Sequence, residues 1–555
     1  MPANPSVLPL TAALAGLILL STSSALTSQG AAAPPAFERV PDAGGIAFVL
    51  DNGATADKRV IETMPGGLAV FDADGDGFVD VFLANGVDPV TGSKSDPRYW
   101  NRLYRNAGDG SFTDVTERAG VRGSGYAMGA AAGDFDNDGH IDLFVPGVAT
   151  HTLYRNLGDG TFEDVTRAAG IAPPVWSVAA AWVDVDNDGR LDLFVVNYLD
   201  WAPDKERFCG DRARNLRVYC HPRHYTGLPN TLYRNRGDGT FEDISAASGI
   251  GRHVGKGMSV AATDLDDDGW PDLVVTNDTL PNFYFRNKGD GTFEEFGLMA
   301  GLALPGFGRP VSSMGLDARD LTNDGRPDVI VTALSGETFP LFVNDGGGLF
   351  RDATHQTGLA TVTTARSGWG VVIADLDNDG WKDIATANSH VNDEVDKFEA
   401  SRYRESNSVF MNRSGRFEDV SAAVGADFAS VVSAHRGLVA ADLDSDGRLD
   451  LITTRLGEGV VVWRNASPAR RWLRVRLVGT VSNRDGIGAI VRAAGQTNVM
   501  TSAIGYASSR VEPVHFGLGD LAVVASLEVV WPSGRTQRLT DVPTNQTITV
   551  TEPAG

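Results

Sequence analysis

The chain has 555 residues, 42% of them hydrophobic, and a formal net charge of −23. That length is ample for two domains. The acidity argues against a nucleic-acid partner, which would need basic patches.

Residues 1–25 read as a signal peptide, because Leu8–Leu20 is a short apolar core followed by small residues. No Lys or Arg precedes that core, so a membrane anchor is the alternative, although the run is short for a span. Residues 26–36 form a linker. No later segment is apolar enough to cross a bilayer, so no membrane span is expected after signal cleavage, and the compartment is secreted, periplasmic or extracellular.

From there a nine-residue loop recurs seven times: Asp-x-Asp-x-Asp-Gly-x-x-Asp, or one step from it. Its acidic positions are 1, 3, 5 and 9. They are Asp72, Asp74, Asp76 and Asp80; Asp134, Asp136, Asp138 and Asp142; Asp184, Asp186, Asp188 and Asp192; and Asp264, Asp266, Asp268 and Asp272. The fifth loop has Asp320, Thr322, Asp324 and Asp328. The last two have Asp375, Asp377, Asp379 and Asp383, then Asp442, Asp444, Asp446 and Asp450. A hard divalent cation such as Ca²⁺ takes about six to eight oxygens, and alternate acids on a tight loop supply them, with glycine at position 6 permitting the turn. Position 7 varies widely, which suits a backbone carbonyl ligand. The alternative is an acidic turn without metal, but four carboxylates in nine residues repel one another unless a cation sits between them. We expect up to seven Ca²⁺ ions, weakest at the fifth loop, where Thr322 replaces an acid. The loop is not an EF-hand: Leu83 and Val145 stand where a Glu would be needed, and an apolar strand-like run follows in place of a helix.

Each loop is followed by a second motif of the type LYRNLGDGTFEDV, whose Asn-x-Gly-Asp-Gly stretch is a hairpin turn. One unit is then four strands, and seven such units predict a β-propeller. The first, third and sixth units carry insertions between their second and third strands, and binding groups concentrate on such loops. The longest insertion holds the only two cysteines, Cys209 and Cys220, which in an exported protein read as a disulfide contributing about 3 kcal/mol; two free thiols are the alternative. The seventh unit lacks its outer strand. The segment around Phe37–Val40 resembles the other outer strands and is expected to fill the gap, leaving no open edge. Arg236-Gly237-Asp238 spells an adhesion tripeptide but is one copy of the hairpin turn, and Gly251–Lys256 has the wrong spacing for a phosphate loop.

The tail alternates apolar and polar residues and predicts a small β-domain; Asp485 and His515 there read as turn and packing residues. The repeats resemble the FG-GAP and VCBS repeats of integrin-α-like propellers. The tail segments RWLRVRLVG, SNRDGIGAIV, GYASS, HFGLG and VVWPSG resemble the ASPIC/UnbV domain, and the combination is similar to the cartilage acidic protein family. The resemblance implies an exported calcium-binding protein. The expected fold is all-β: a seven-bladed integrin-α-like β-propeller over 37–467 with a small C-terminal β-domain over 468–553.

On the propeller face opposite the Asp loops, Tyr126, Trp176, His253, Lys256, Arg366, Trp369, His435 and Arg436 lie near the starts of the inner strands. They form a candidate face for an anionic or sugar-like ligand; the alternative is that the aromatics only cap the channel. No nucleophile–base motif is present. The expected function is a calcium-stabilised binding or adhesion module with a protein or glycan ligand. The rival is an extracytoplasmic enzyme acting on a carbohydrate or anionic ester, with His253, Lys256, His435 and Arg436 as its groups.

Overall fold

The repeated sequence unit folds as a four-stranded antiparallel sheet. In the computed structural model, which describes residues 34–88, 90–172 and 175–554, the third unit shows the pattern. Ser177–Val183 pairs with Asp192–Asn197, which pairs with Thr231–Asn235, which pairs with Phe241–Asp243. The first two strands are buried along their whole length, whereas the fourth buries Phe241 and turns its acids outward. Small residues such as Ala179, Ala180 and Ala181 in the innermost strand let neighbouring sheets crowd together. Among the described residues, seven sheets contain this four-strand order. The expected signal peptide lies outside the described residues, and among those described no helix is long and apolar enough to cross a membrane.

Closure runs as the sequence predicts. Phe37–Arg39 pairs antiparallel with Glu458–Asn465, with Phe37 opposite Asn465 and Arg39 opposite Trp463. Phe428 stacks on Phe37 and packs at a tilt against Trp463, with ring centroids 5.8 and 4.9 Å away. The strand supplies the partner that the last sheet's outer edge would otherwise lack.

Adjacent sheets are also tied by a hydrogen bond that recurs from sheet to sheet. The Asn ending every LYRN-type strand donates through Nδ2 to the carbonyl at loop position 2 of the preceding sheet. The pairs are Asn156 to Ala73 (2.9 Å), Asn235 to Phe135 (2.7 Å), Asn287 to Val185 (2.8 Å) and Asn344 to Leu265 (2.9 Å). Asn412 reaches Leu321 (2.9 Å), Asn465 reaches Leu376 (2.8 Å), and Asn106 reaches Leu443 (2.8 Å), which returns the series to its start. The sequence marks these asparagines as turn residues; buried, they also join sheet to sheet.

The tail forms two further sheets. Arg471–Val478 lies between Val514–Gly519 and Gln546–Thr551, and Ile490–Ala493 lies between Gln496–Val499 and Val523–Val530, with Thr536–Pro543 beyond. A hairpin, Ala503–Ile504 and Ser508–Val511, leaves the tail and pairs parallel with Leu68–Phe71 of the first sheet. At its tip Tyr506 is fully buried, its hydroxyl donates to the Met64 carbonyl (2.7 Å), and its ring meets Trp369 edge-on at 4.9 Å. Met128, Met258 and Met314 belong to the same buried cluster. The approach is close enough to demand glycine: a Cβ on Gly67 would stand 1.9 Å from the Ala507 carbonyl oxygen, and one on Gly129 would stand 2.6 Å away. The tail therefore reaches between the inner strands as well as packing on the repeats.

Candidate functional site

The third Asp loop shows how the cages are built. Asp184 accepts from the Asp188 and Gly189 N–H groups through separate oxygens (3.0 and 2.9 Å), and Asp192 accepts from Val185 (3.0 Å) and Asn235 (2.8 Å). Asn187 and Gly189 take positive φ, which winds the loop around its own first side chain. In this way positions 1 and 9 are anchored before any ion arrives. Position 3 is left over: Oδ1 of Asp186, Asp266 and Asp444, and Oγ1 of Thr322, are buried without a hydrogen-bond partner. Six groups of three acids have oxygens within 4.8 Å of one another. Five are Asp72/Asp74/Asp80, Asp134/Asp136/Asp142, Asp184/Asp186/Asp192, Asp264/Asp266/Asp272 and Asp375/Asp377/Asp383. Position 5 stands apart from these triads and is held by local donors, as where the Arg190 N–H and guanidinium both bond Asp188.

Burial, reinforced by neighbouring carboxylates, pushes these acids up: Asp80 and Asp184 to about 7, and Asp134, Asp272 and Asp375 to about 8. Asp142, Asp192, Asp383 and Asp450 are pushed well above the usual carboxylate range. Hard oxygen donors, clustered, raised in pKa and partly orphaned, fit calcium. The fifth loop differs as its sequence suggests. It keeps Asp320, Asp324 and Asp328, but the buried Lys382 ammonium lies close by, donating to the Asp320 carbonyl (2.9 Å) and opposing the rise in the Asp320 pKa.

The tail covers this face. Arg474 pairs with Asp442 (2.8 Å) and Glu512 (3.2 Å), all three being buried. Asp485 accepts from the Asp134 N–H (2.9 Å), the Arg484 N–H donates to Asn137 Oδ1 (2.8 Å), and His515 Nε2 meets the Gly447 carbonyl (3.1 Å). Asp485 and His515 thus pack against the loops.

The other ends of the strands differ. The three long second-to-third-strand connections emerge there, and beside the inner-strand approaches lies a cavity of about 690 Å³. Met64, Met258, Met314 and Trp369 line it from below, and Tyr506 touches two of these four. One wall is the insertion closed by the Cys209–Cys220 disulfide, which brings Arg207, His221, Arg223 and His224 to the cavity. Facing groups include Asp278, Glu337 and Glu399. The Tyr198 hydroxyl donates to Asp278 (2.7 Å), and burial holds that carboxyl up at about 6. Glu337, also raised by burial, accepts from the Ser312 and Leu334 N–H groups (3.0 and 3.1 Å). His390 Nδ1 accepts from the Asn392 N–H (3.0 Å), and burial pulls the ring down to about 4, so it is neutral.

Of the eight residues expected on a ligand face, Trp369 alone lines this cavity. The other seven are engaged elsewhere. Arg436 is fully buried, 4.0 Å from the Trp369 ring, and donates to the Thr63 carbonyl; His435 is fully buried beside the Val431 carbonyl, its pKa pulled down to about 3 by burial. Lys256 donates to the Pro222 carbonyl (2.9 Å) and supports the wall from outside. Tyr126 donates to the Asn52 carbonyl, Trp176 packs on Tyr198 and Trp201, His253 packs on Phe283 and Phe285, and Arg366 pairs with Asp419. The eight do not share one pocket, because most inner-strand approaches turn these side chains into the core or between connections. Arg207, Arg223, Asp278 and Glu337 were not expected; the one hint is that Asp278 directly follows the Asn ending a second strand, where Tyr198 and Ser389 follow theirs. Asp238 of the Arg-Gly-Asp tripeptide accepts from Thr240, as the equivalent Asp159 does from Thr161.

Comparison with known proteins places these elements. The FG-GAP-like repeat model matches residues 66–145, 149–195, 219–275, 264–331 and 320–386, which is more than half of the chain, and the ASPIC and UnbV model matches residues 479–555. Cartilage acidic protein 1 of Homo sapiens is 26% identical over 327 residues, covering 55% of this chain and 45% of that protein. The Mus musculus protein is 27% identical over 329 residues, with 55% and 46% covered. The chain thus spans about half the length of these curated relatives. Among solved structures, BP39L lectin from Burkholderia pseudomallei is 12% identical with a TM-score of 0.43, covering 73% of this chain and 97% of that one. An Agrocybe aegerita protein that recognises non-reducing terminal N-acetylglucosamine is 18% identical with a TM-score of 0.36, covering 64% and 79%.

Proposed function

Because the chain belongs to the FG-GAP-like repeat family, ends in an ASPIC and UnbV domain and is distantly homologous to cartilage acidic protein 1, we propose that it is an exported binding or adhesion module. In this reading it is a seven-bladed, integrin-α-like propeller. Calcium in the Asp loops is structural, and a protein or glycan ligand sits in the cavity at the opposite strand ends. The observation that carries the reading is that cavity, about 690 Å³ and bounded by long connections. The disulfide supports an extracellular setting. A Thr279→Trp substitution, which fills the cavity from its wall, tests the seat. On glycan and peptide arrays it is expected to abolish the wild-type binding pattern while leaving the melting temperature close to wild type. An unchanged pattern would place the ligand elsewhere.

The enzyme reading rests on one observation of its own: Asp278 and Glu337, both raised by burial, line the same cavity. In that case the acid–base groups for a carbohydrate or anionic ester are these carboxyls, not His253, Lys256, His435 or Arg436. Turnover that disappears in Asp278→Asn would favour it; array binding without turnover favours the module.

A further inference from the structure

Resting on the ligand seat proposed above, we infer that the cavity takes an acidic saccharide, its carboxylate held by Arg207 and Arg223 and its hydroxyls by Asp278 and Glu337. The cavity is divided by charge. The disulfide-closed wall contributes two guanidiniums and two imidazoles, and the facing elements contribute three carboxyl groups. Among the described residues no carboxylate pairs with Arg207 or Arg223, whereas Arg217 in the same insertion reaches Asp57 (3.3 Å). An anion entering this space meets planar donors on the two stems that the Cys209–Cys220 disulfide joins, Arg207 just before the closed loop and Arg223 just after it. The His221 ring adds to that side, since its Nδ1 accepts from the Arg223 N–H (3.1 Å), which leaves Nε2 as the ring's remaining nitrogen.

The opposite side asks for donors. Asp278 receives the Tyr198 hydroxyl on one oxygen, and Glu337 receives two backbone N–H groups on Oε2 alone. Each keeps acceptor capacity that a sugar hydroxyl can fill. Phe398, 48% exposed at the cavity edge, offers an apolar surface for a sugar ring. A polyhydroxylated ligand with one acidic group per ring or per few rings satisfies both walls, and the volume suits an oligosaccharide of a few residues. A zwitterionic peptide also satisfies the charges; the saccharide is favoured because the spare acceptors on Asp278 and Glu337 share the cavity with the exposed Phe398 ring, which suits a polyhydroxylated ring with an apolar face.

Isothermal titration of the calcium-loaded full chain tests this with three probes: a galacturonate tetramer, a neutral galactose tetramer and a zwitterionic tetrapeptide. The acidic tetramer is expected to bind about tenfold or more tighter than the neutral one. The Arg207→Ala/Arg223→Ala double variant should remove that preference, and Asp278→Asn should weaken both saccharides. Both arginines are exposed, so melting temperature serves as the folding control. An acidic-tetramer affinity untouched by the double variant overturns the inference, as does binding of no saccharide. Tetrapeptide binding that depends on Asp278 overturns the ligand class while leaving the seat in place. Acidic-tetramer binding that survives Thr279→Trp overturns the seat itself.

Discussion

The two ends of the repeated strands are built on opposite terms. At one end seven loops of one length wind around their own carboxylates and lie under the tail, with six groups of clustered oxygens among them. At the other end the connections vary from short links to a disulfide-closed insertion, and they leave a cavity open. Carboxylate geometry fixes loop length at the first end, because inserting a residue there would pull the clustered oxygens apart. Nothing of the kind constrains the second end, so chemistry can be added there without disturbing the sheets. Order at one end permits variation at the other.

Removing calcium should break that contrast first. If free calcium stands about ten times above Kd, each group contributes ~1.4 kcal/mol, and six groups about 8 kcal/mol. A chelator should therefore lower the melting temperature far more than any single substitution, and an identical melting curve in EDTA would mean that the loops hold no metal. The next largest effect is expected at the tail hairpin. Tyr506→Ala removes a fully buried ring and should cost about 3 kcal/mol or more in denaturant titration, with ligand affinity falling too, since Tyr506 supports Met64 and Trp369 beneath the cavity. Wild-type affinity in a destabilised Tyr506→Ala protein would uncouple the two ends. Smaller again is Asn235→Ala, which leaves the Phe135 and Leu191 carbonyls unpaired and should cost about 1–3 kcal/mol by the same titration.

The subtlest test is pH, where the two ends should respond in opposite senses. Without calcium, the loop acids bind protons more tightly folded than unfolded, with folded pKa values near 7 to 8 for Asp80, Asp134 and Asp184. Their stabilisation is complete at acid pH and is lost as pH rises through 7–8. His390 and His435, pulled down to about 4 and 3, contribute above pH 6.5 and lose that contribution as pH falls toward those values. Melting curves should therefore fall toward alkaline pH in EDTA and decline on the acid side in calcium. Parallel profiles in the two buffers would contradict the assignment.

Much of this was legible in the residues. The period of Asp loop and LYRN strand gave the four-stranded unit, the kinship of Phe37–Val40 to other outer strands gave the closing pair, and two cysteines in one insertion gave the disulfide. The acid at position 3 of the loops was legible, but that its oxygen is buried without a partner follows only from the folded loop. The hairpin carrying Tyr506 was not legible: its environment comes from Met64, Gly67, Gly129 and Trp369, distant in the chain and with no shared pattern. The ligand face failed for a related reason. Aromatic and basic residues near strand starts look convergent, yet backbone direction decides whether each reaches the cavity, and Arg436 and His435 turn into the core instead. Asp278 and Glu337 carry no motif, and only the meeting of several connections makes them neighbours.

The closing strand has a kinetic consequence. Ala36 N–H bonds Ser467 Oγ, 431 positions away along the chain, beside the pairing of Phe37 with Asn465. No contact of that kind can form until nearly the whole repeat region is present, and contacts of such sequence separation slow folding. Until then the last sheet keeps a bare edge able to pair with another chain. The hazard for this molecule is therefore greatest in the interval before its earliest strand meets its latest one, and refolding yield should depend on protein concentration more steeply than the stability of the finished fold would suggest.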